Sequence, residues 1–417
     1  MISLIIIAFG IIFLDITTVW GLKRTFPKFS SRYWRGICVV FSIQMFVSVV
    51  TVLGGYLFQR HITDYRLFVW YYYFWGLMGA LYFPKSFYAL LLIVDWVLSK
   101  VSKLHRRQFD KFPRGSRRIV AKCGFWASVA LFALIVWSIF FERNSYKIDQ
   151  VEIFIENLPS AFHGYKMVHI SDIHSGSFAH SSERYQKTVD LVNQQEPNLI
   201  VSTGDFVNNF AEELIPLIPV FSQFNAPDGK YAVLGNHDYG GYSDWHTVAD
   251  SVANHELIKD AIEQMGFVLL NNQSTIISRY NSDRMALIGI ENWGIKKRHP
   301  KRGNLEIAMS AVQNIPFKVL LSHDPSFWSV GVKDKTDIVL TLSGHTHGMQ
   351  MGMKLGKRRF SLAPLFGFPF GAGLYQTGKQ YLYVNRGLGV VGFPGRLGMA
   401  PEITVITLWK VKSPAQQ

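Results

Sequence analysis

The sequence predicts an α-helical membrane bundle followed by an α/β domain, and three observations carry that division. Four long apolar stretches fill the first third of the chain. Beyond it, short Val/Ile/Leu-rich runs alternate with helical patterns. The basic excess also sits almost wholly in the apolar part. Of the formal net charge of +14, residues 1–143 hold 18 Lys/Arg against 5 Asp/Glu, while residues 144–417 hold 25 against 24. Charge gathered beside apolar stretches reads as membrane-topology charge. A nucleic-acid footprint would instead put a basic face on the folded domain, so nucleic acid is not an expected partner. The boundary falls at 143/144.

The apolar stretches are Met1–Leu22, Gly36–Phe58, Leu67–Leu98 and Ile119–Phe141. Each reaches the ~20 residues needed to cross a hydrocarbon core. Leu67–Leu98 is long and contains Pro84 and Lys85; two crossings there would be too short, so it reads as one tilted or kinked helix. Its start is crowded with Trp70, Tyr71, Tyr72, Tyr73 and Trp75, the aromatic signature of a membrane interface. Met1–Leu22 has no basic residue ahead of its apolar run, while Lys23 and Arg24 follow it, which fits an uncleaved span better than a signal peptide. The first loop carries Lys23, Arg24, Lys28, Arg32 and Arg35. The third carries Lys100, Lys103, Arg106, Arg107, Lys111, Arg114, Arg117, Arg118 and Lys122. The second has Arg60 and Arg66, opposed by Asp64. By the positive-inside rule, loops one and three are cytoplasmic, and everything after Phe141 lies outside the cytoplasmic membrane. Asp15 and Asp95 fall within spans; they mark either an ion path or paired structural charges.

From about Lys147 the pattern becomes α/β. Strands are expected at Met167–Ser171, Leu199–Thr203, Tyr231–Leu234, Met285–Ile290, Val319–Ser322, Ile338–Leu342, Tyr381–Asn385 and Ile403–Trp409, and helices at Ser182–Gln195 and Val248–Met265. The runs are rich in Val, Ile and Leu, as strands buried on both faces should be. Cys38 and Cys123 are the only cysteines, so the α/β part has neither a disulfide framework nor a cysteine zinc site.

Polar residues follow five of these strands in order: Asp172 and His174; Gly204-Asp205; Gly235-Asn236-His237-Asp238; His323; and Gly344-His345-Thr346-His347. Open α/β sheets build sites beyond the carboxyl ends of their strands, so the five loops are expected to converge. Imidazole, carboxylate and amide donors together suit Mn, Fe or Zn. One such turn alone is commonly a capped turn; five in order at strand ends are a site.

In that order the motifs resemble the calcineurin-like metallophosphoesterase superfamily, over roughly Ile148–Leu408. The stretches His169–His174, Ser343–Gln350 and Tyr383–Leu408 are similar to its bacterial membrane-associated or exported branch, although Gly348-Met349-Gln350 stands where Gly-Gly-Gln is usual. The resemblance implies a four-layer α-β-β-α sandwich with two divalent metal ions at its rim. Asp172, His174 and His347 would hold one ion and Asn236, His323 and His345 the other, with Asp205 bridging. His237 would stabilise the transition state or protonate the leaving group. Phosphoprotein phosphatases of the superfamily carry a further Asp and Arg where this chain has Asn208 and Asn209, and end their third motif in Glu where Asp238 stands. The carboxylate that orients the histidine and the arginine that grips the ester are therefore missing, and a protein-phosphatase role is not expected.

The resulting expectation is a membrane-anchored hydrolase of phosphomonoesters, phosphodiesters or pyrophosphates. The alternative is a non-catalytic sensor that binds a phosphorylated ligand through the metal site. Asn208, His169 and Glu291 could line the site, and Arg386 either contacts phosphate or caps a loop. Lys354, Lys357, Arg358 and Arg359 precede the apolar stretch Phe360, Leu362, Leu365, Phe366, Phe368, Phe370 and Leu374. A basic rim beside exposed aromatics suits docking on membrane lipids and a lipid-linked substrate; the other reading packs these aromatics under a sheet.

Overall fold

The computed structural model describes residues 2–58, 64–104, 116–178, 182–280, 283–294, 300–356 and 358–411. The expected loop residues Arg60, Arg106, Arg107, Lys111, Arg114 and Lys357 lie outside them. The chain divides into two compact units, Met1–Arg60 with Tyr73–Ile139, and His61–Tyr72 with Phe140–Gln417.

The first unit is helical. Helices α1 (Ile2–Thr25), α2 (Ser31–Phe58), α3 (Tyr65–Leu104) and α4 (Ser116–Phe140) coincide with the four apolar stretches, and each is long and apolar enough to cross a membrane. Helix α3 runs unbroken through Pro84. The two acidic residues within the spans are paired. Asp15 of α1 meets Lys85 of α3, which also donates to Gln44 of α2, and Tyr82 Oη donates to Asp15 at 3.0 Å. Asp95 lies 3.4 Å from Arg24. Charge in an apolar bundle is tolerated when it is paired in this way, and the structural reading of both carboxylates follows.

The second unit holds fourteen described strands: β1 (Lys147–Ile155), β2 (Tyr165–Ile170), β3 (Leu199–Ser202), β4 (Lys230–Ala232), β5 (Val268–Leu269), β6 (Gln273–Arg279), β7 (Asp283–Gly289), β8 (Lys318–Leu321), β9 (Leu340–Ser343), β10 (Gly352–Leu355), β11 (Arg358–Ser361), β12 (Gly373–Thr377), β13 (Gln380–Val384) and β14 (Glu402–Lys410). Two sheets result, in the orders β1-β14-β2-β3-β4-β5 and β12-β13-β9-β8-β7-β6, with β10–β11 a separate hairpin. Pairing is parallel from β2 through β5 and from β7 through β9 to β13. Every expected strand is present, each within two or three residues of its expected ends.

The two-residue side-chain period of a strand sorts the core into layers. Met167, Leu199 and Val201 of the first sheet pack against Leu287, Val319, Leu321 and Leu342 of the second. Their neighbours Val168, Ile170 and Ile200 face the other way, onto Val189, Val192, Ile258 and Ile262 of the helices Ser182–Asn193 and Val248–Gln264. On the far side Ala286, Ile288 and Leu320 meet Val312, Ile315, Trp328 and Val332. The layers are α-β-β-α, as expected.

The apolar stretch after the last motif divides between the two readings. Phe368 and Phe370 are packed in protein, the first edge-on against His345 with ring centroids 5.3 Å apart and the second against Trp328 and Tyr375. Phe360, Leu365 and Phe366 are exposed, as are Met353 and Leu355 on the same hairpin. The basic cluster is also reduced, because Arg359 pairs with Asp149 at 2.5 Å.

Candidate metal centre

The loops after β2, β3, β4, β8 and β9 meet at one rim, and their backbone is unusual. Asp172, His174, Asp205, His345 and His347 all have left-handed φ, between 44° and 71°. Side chains seldom adopt that region, and several together mark a place where the fold holds strain for function. Two motif glycines allow the approach. A Cβ on Gly204 would meet Gly235 N at 2.3 Å, and one on Gly235 would meet Asp205 Oδ1 at 2.2 Å. The Gly-Asp and Gly-Asn-His motifs carry glycine because the two loops touch there.

Asp205 is at the centre. Its Oδ1 accepts the His237 backbone N–H at 2.8 Å. Its Oδ2 lies 3.7 Å from His174 Nε2 and 3.1 Å from His323 Nε2. On one side His174 Nε2 is 3.1 Å from His347 Nε2, which is 3.3 Å from Asp172 Oδ1. On the other, His323 Nε2 is 3.1 Å from Asn236 Oδ1 and 3.2 Å from His345 Nδ1. All seven expected ligand residues and His237 are brought together, and all are buried save the half-buried His345.

The donor chemistry fits cations. His323 Nδ1 donates to the Thr203 carbonyl at 2.6 Å, so in the neutral ring Nε2 is a lone pair. That lone pair faces the acceptors Asp205 Oδ2 and Asn236 Oδ1. Acceptor facing acceptor in a buried site is unfavourable unless a proton or a metal ion lies between them. Without an ion, a proton serves: burial works against it, but the Asp205 carboxylate outweighs burial and holds His323 up to about 10. Burial likewise disfavours charge on Asp205, yet the His323 imidazolium beside it, its largest favourable partner, holds it well below the usual carboxylate range. Burial keeps His174 and His237 low, and so neutral. Charged carboxylates among neutral imidazoles form a ligand set for divalent ions. Three groups of acidic and histidine side chains here have donor atoms within 4.8 Å of one another: Asp172, His174 and His347; His174, Asp205 and His237; and Asp205, His323 and His345.

Behind this set stand Asp238, the last residue of the third motif, and residues that the motifs did not mark. Asp238 accepts N–H groups from Asp205, Phe206 and Gly235 at 2.8–2.9 Å and pins the Asp205 loop; burial, then Asp205, pushes its carboxyl up to about 7. Tyr242 stacks on His237, with centroids 4.1 Å apart and planes 14° apart. Asn236 Nδ2 donates to Tyr242 Oη at 2.6 Å, which turns Asn236 Oδ1 towards His323. Arg396 Nη2 lies 3.1 Å from His347 Nδ1.

The residues left open divide clearly. Arg386 pairs with Asp149 and Glu402 at 3.0 and 2.9 Å and donates to the Ala400 carbonyl, so it ties loops together. His169 bonds Thr203, and Glu291 bonds Tyr239 and Asn272. Asn208 is at the site through its carbonyl, which accepts the His237 Nδ1–H at 2.7 Å.

Fold and site together define a metal-dependent hydrolase of phosphoesters. Residues 165–349 match the calcineurin-like phosphoesterase family. An uncharacterized metallophosphoesterase of Bacillus subtilis, YkuE, is 29% identical, the match covering 74% of this chain and 99% of that protein. A zebrafish (Danio rerio) transmembrane protein with a metallophosphoesterase domain is 29% identical over 92% of this chain and 82% of its own. An uncharacterized metallophosphoesterase of Campylobacter jejuni is 25% identical over 98% and 99%. With its four long apolar helices, the chain is a membrane protein.

Proposed function

We propose that the chain is a two-metal phosphoesterase working at the outer face of the cytoplasmic membrane. Asp172, His174 and His347 would hold one divalent ion and Asn236, His323 and His345 the other, with Asp205 placed to serve both. The observation that carries this is the position of Asp205 Oδ2 between His174 and His323. Bound ions there supply Lewis acidity to the phosphoryl oxygens and activate water. The residues do the rest. The Asn208 carbonyl holds Nδ1–H of His237, and Tyr242 covers one face of its ring, leaving Nε2 to act. An anionic substrate favours the imidazolium form. Water attacks phosphorus and its proton passes to bulk water, from which His237 is reprotonated before the next turnover. The phosphorus–oxygen bond to the leaving group breaks, and that oxygen takes the Nε2 proton of His237.

The substrate proposed is a lipid or lipid-linked phosphoester. Met353, Leu355, Phe360, Leu365 and Phe366 expose apolar surface, with Lys354 exposed among them, and the same loop returns to the site at Phe368 beside His345. Such a surface suits insertion among acyl chains and anionic headgroups. Full-length protein in liposomes is expected to hydrolyse a lipid phosphoester much faster than its water-soluble headgroup analogue. Replacing the exposed Leu365 and Phe366 with Ser should erase that preference and spare a small chromogenic ester. Equal rates on both substrates, unchanged by the replacements, would leave the lipid reading without support.

Orientation is tested separately. A reporter fused after Gln417 should be active only outside the cytoplasm, and one near Arg107 only inside. Activity of the C-terminal fusion in the cytoplasm would contradict the charge argument.

A further inference from the structure

Glu213 is a buried carboxylate that belongs to none of the five motifs. It sits at the end of the short turn Ala211–Glu213 and gathers backbone N–H groups from two loops. Oε2 accepts from Gly176 at 2.8 Å and Asn208 at 2.6 Å. Oε1 accepts from Asn209 and Phe210, each at 2.9 Å. Gly176 is part of this arrangement, since a Cβ there would meet Oε2 at 2.5 Å. One loop descends from His174 and the other from Asp205, so a single side chain fixes both relative to each other.

The second loop also controls His237 from two sides. The Asn208 carbonyl takes its Nδ1–H at 2.7 Å. Asn209 Oδ1 accepts the Tyr242 backbone N–H at 2.8 Å, and the Tyr242 ring stacks on the imidazole. Asn209 is held in turn by Asn254, whose Nδ2 donates to its carbonyl at 3.0 Å. A peptide carbonyl carries no charge and aims an imidazole only as well as its own loop is held. Here that loop is held by three N–H bonds to one carboxylate, which takes a fourth from Gly176 of the neighbouring loop. The carboxylate that this chain lacks beside His237 is thus present one step away, acting through the backbone.

We propose that Glu213 is the positioning residue of His237, fixing the Asn208 carbonyl and with it the aim of the imidazole at the leaving oxygen. The proposal rests on the reading of His237 as proton donor. It predicts a selective defect. Proton donation matters most when the leaving group is a poor one, an alkoxide, and least for a nitrophenolate that departs unprotonated. In Glu213→Gln the amide keeps one oxygen and turns an NH2 towards two N–H donors, so half of the grip is lost.

The test uses full-length protein in detergent with Mn²⁺ and two phosphodiesters that differ only in the leaving group, methanol or p-nitrophenol. Glu213→Gln should lose roughly 10–100-fold in kcat on the methyl ester, the usual cost of losing an outer-shell orienting partner. On the nitrophenyl ester it should stay within about threefold, with bound metal unchanged by elemental analysis; the double variant with His237→Ala should be no worse than His237→Ala alone. Should Glu213→Gln not accumulate as folded protein, Glu213→Asp is expected to show the same selectivity in weaker form. Equal losses on both esters, loss of metal, or additive effects in the double variant would overturn the positioning role. If His237→Ala itself shows no selectivity, the proton-donor reading fails first; if it is selective and the Glu213 variants are not, only this inference fails.

Discussion

Asp205→Asn is expected to empty the site of metal and to end turnover while the domain stays folded. The carboxylate has two separate tasks. Oδ1 accepts the His237 backbone N–H, and Oδ2 faces His174 and His323 together. Asparagine has one oxygen, so it can fill only one task. If the oxygen keeps the backbone bond, the amide NH2 points at two imidazole nitrogens and repels a cation. If it turns the other way, the Asp205 and His237 loops lose the Oδ1 bond between them, and a neutral oxygen replaces the charge proposed to serve both ions. The loss should exceed the on the order of 10²–10³-fold caused by removing a single stabilising donor from an active site. Elemental analysis should show the metal gone, and far-ultraviolet circular dichroism should show the fold retained, because Asp238 still pins the loop backbone. Wild-type metal content in the variant would remove Asp205 from the ligand set.

His237→Ala should separate catalysis from metal binding. The ring lies beside Asp205 and His174, yet its Nδ1 is engaged by the Asn208 carbonyl and its face by Tyr242. In the proposed arrangement it belongs to neither ion, so both should remain. The rate should fall by on the order of 10²–10⁴-fold, the range for losing general acid help. The loss should appear in kcat more than in KM, since the proton moves only as the bond to the leaving oxygen breaks. Kinetics and metal analysis on the same preparation decide between outcomes. Full activity would take His237 out of the mechanism, and loss of metal would make it a ligand.

Much of this was legible because the second unit's central strands are buried on both faces. Val168, Ile200 and Leu320 point one way while Met167, Val201 and Leu321 point the other, so each strand is rich in apolar residues and ends in a sharp polar turn. The site residues occupy those ends. The membrane helices were legible for a related reason: lipid admits few charges, and the two acidic residues within the spans, Asp15 and Asp95, are paired with Lys85 and Arg24. What could not be read acts through the backbone or on one side of a strand only. Glu213 collects N–H groups, a task any buried carboxylate can perform and that leaves no spacing rule. Strand β1 has a largely solvent-facing alternation, Lys147 to Ile155, and β10–β12 are short and half exposed, so none stands out as an apolar run. Phe366 and Phe368 are two residues apart in one glycine-rich loop, yet one faces solvent and the other His345. Composition cannot separate them. Arg386 follows a strand as a phosphate-binding arginine would, but its partners are Glu402 on the next strand and Asp149 at the far end of the domain sequence.

The central claim is that Asp205 joins two metal positions into one hydrolytic site. It is tested most directly by stripping full-length protein with chelator and titrating Mn²⁺ while following a chromogenic phosphodiester, with Asp205→Asn in parallel. The account predicts no turnover after stripping, a rise that is complete near two bound ions per chain, and no rise in the variant. Turnover that survives the chelator, or a wild-type protein that binds two ions and hydrolyses no phosphoester, would contradict it, the latter in favour of a metal-dependent sensor.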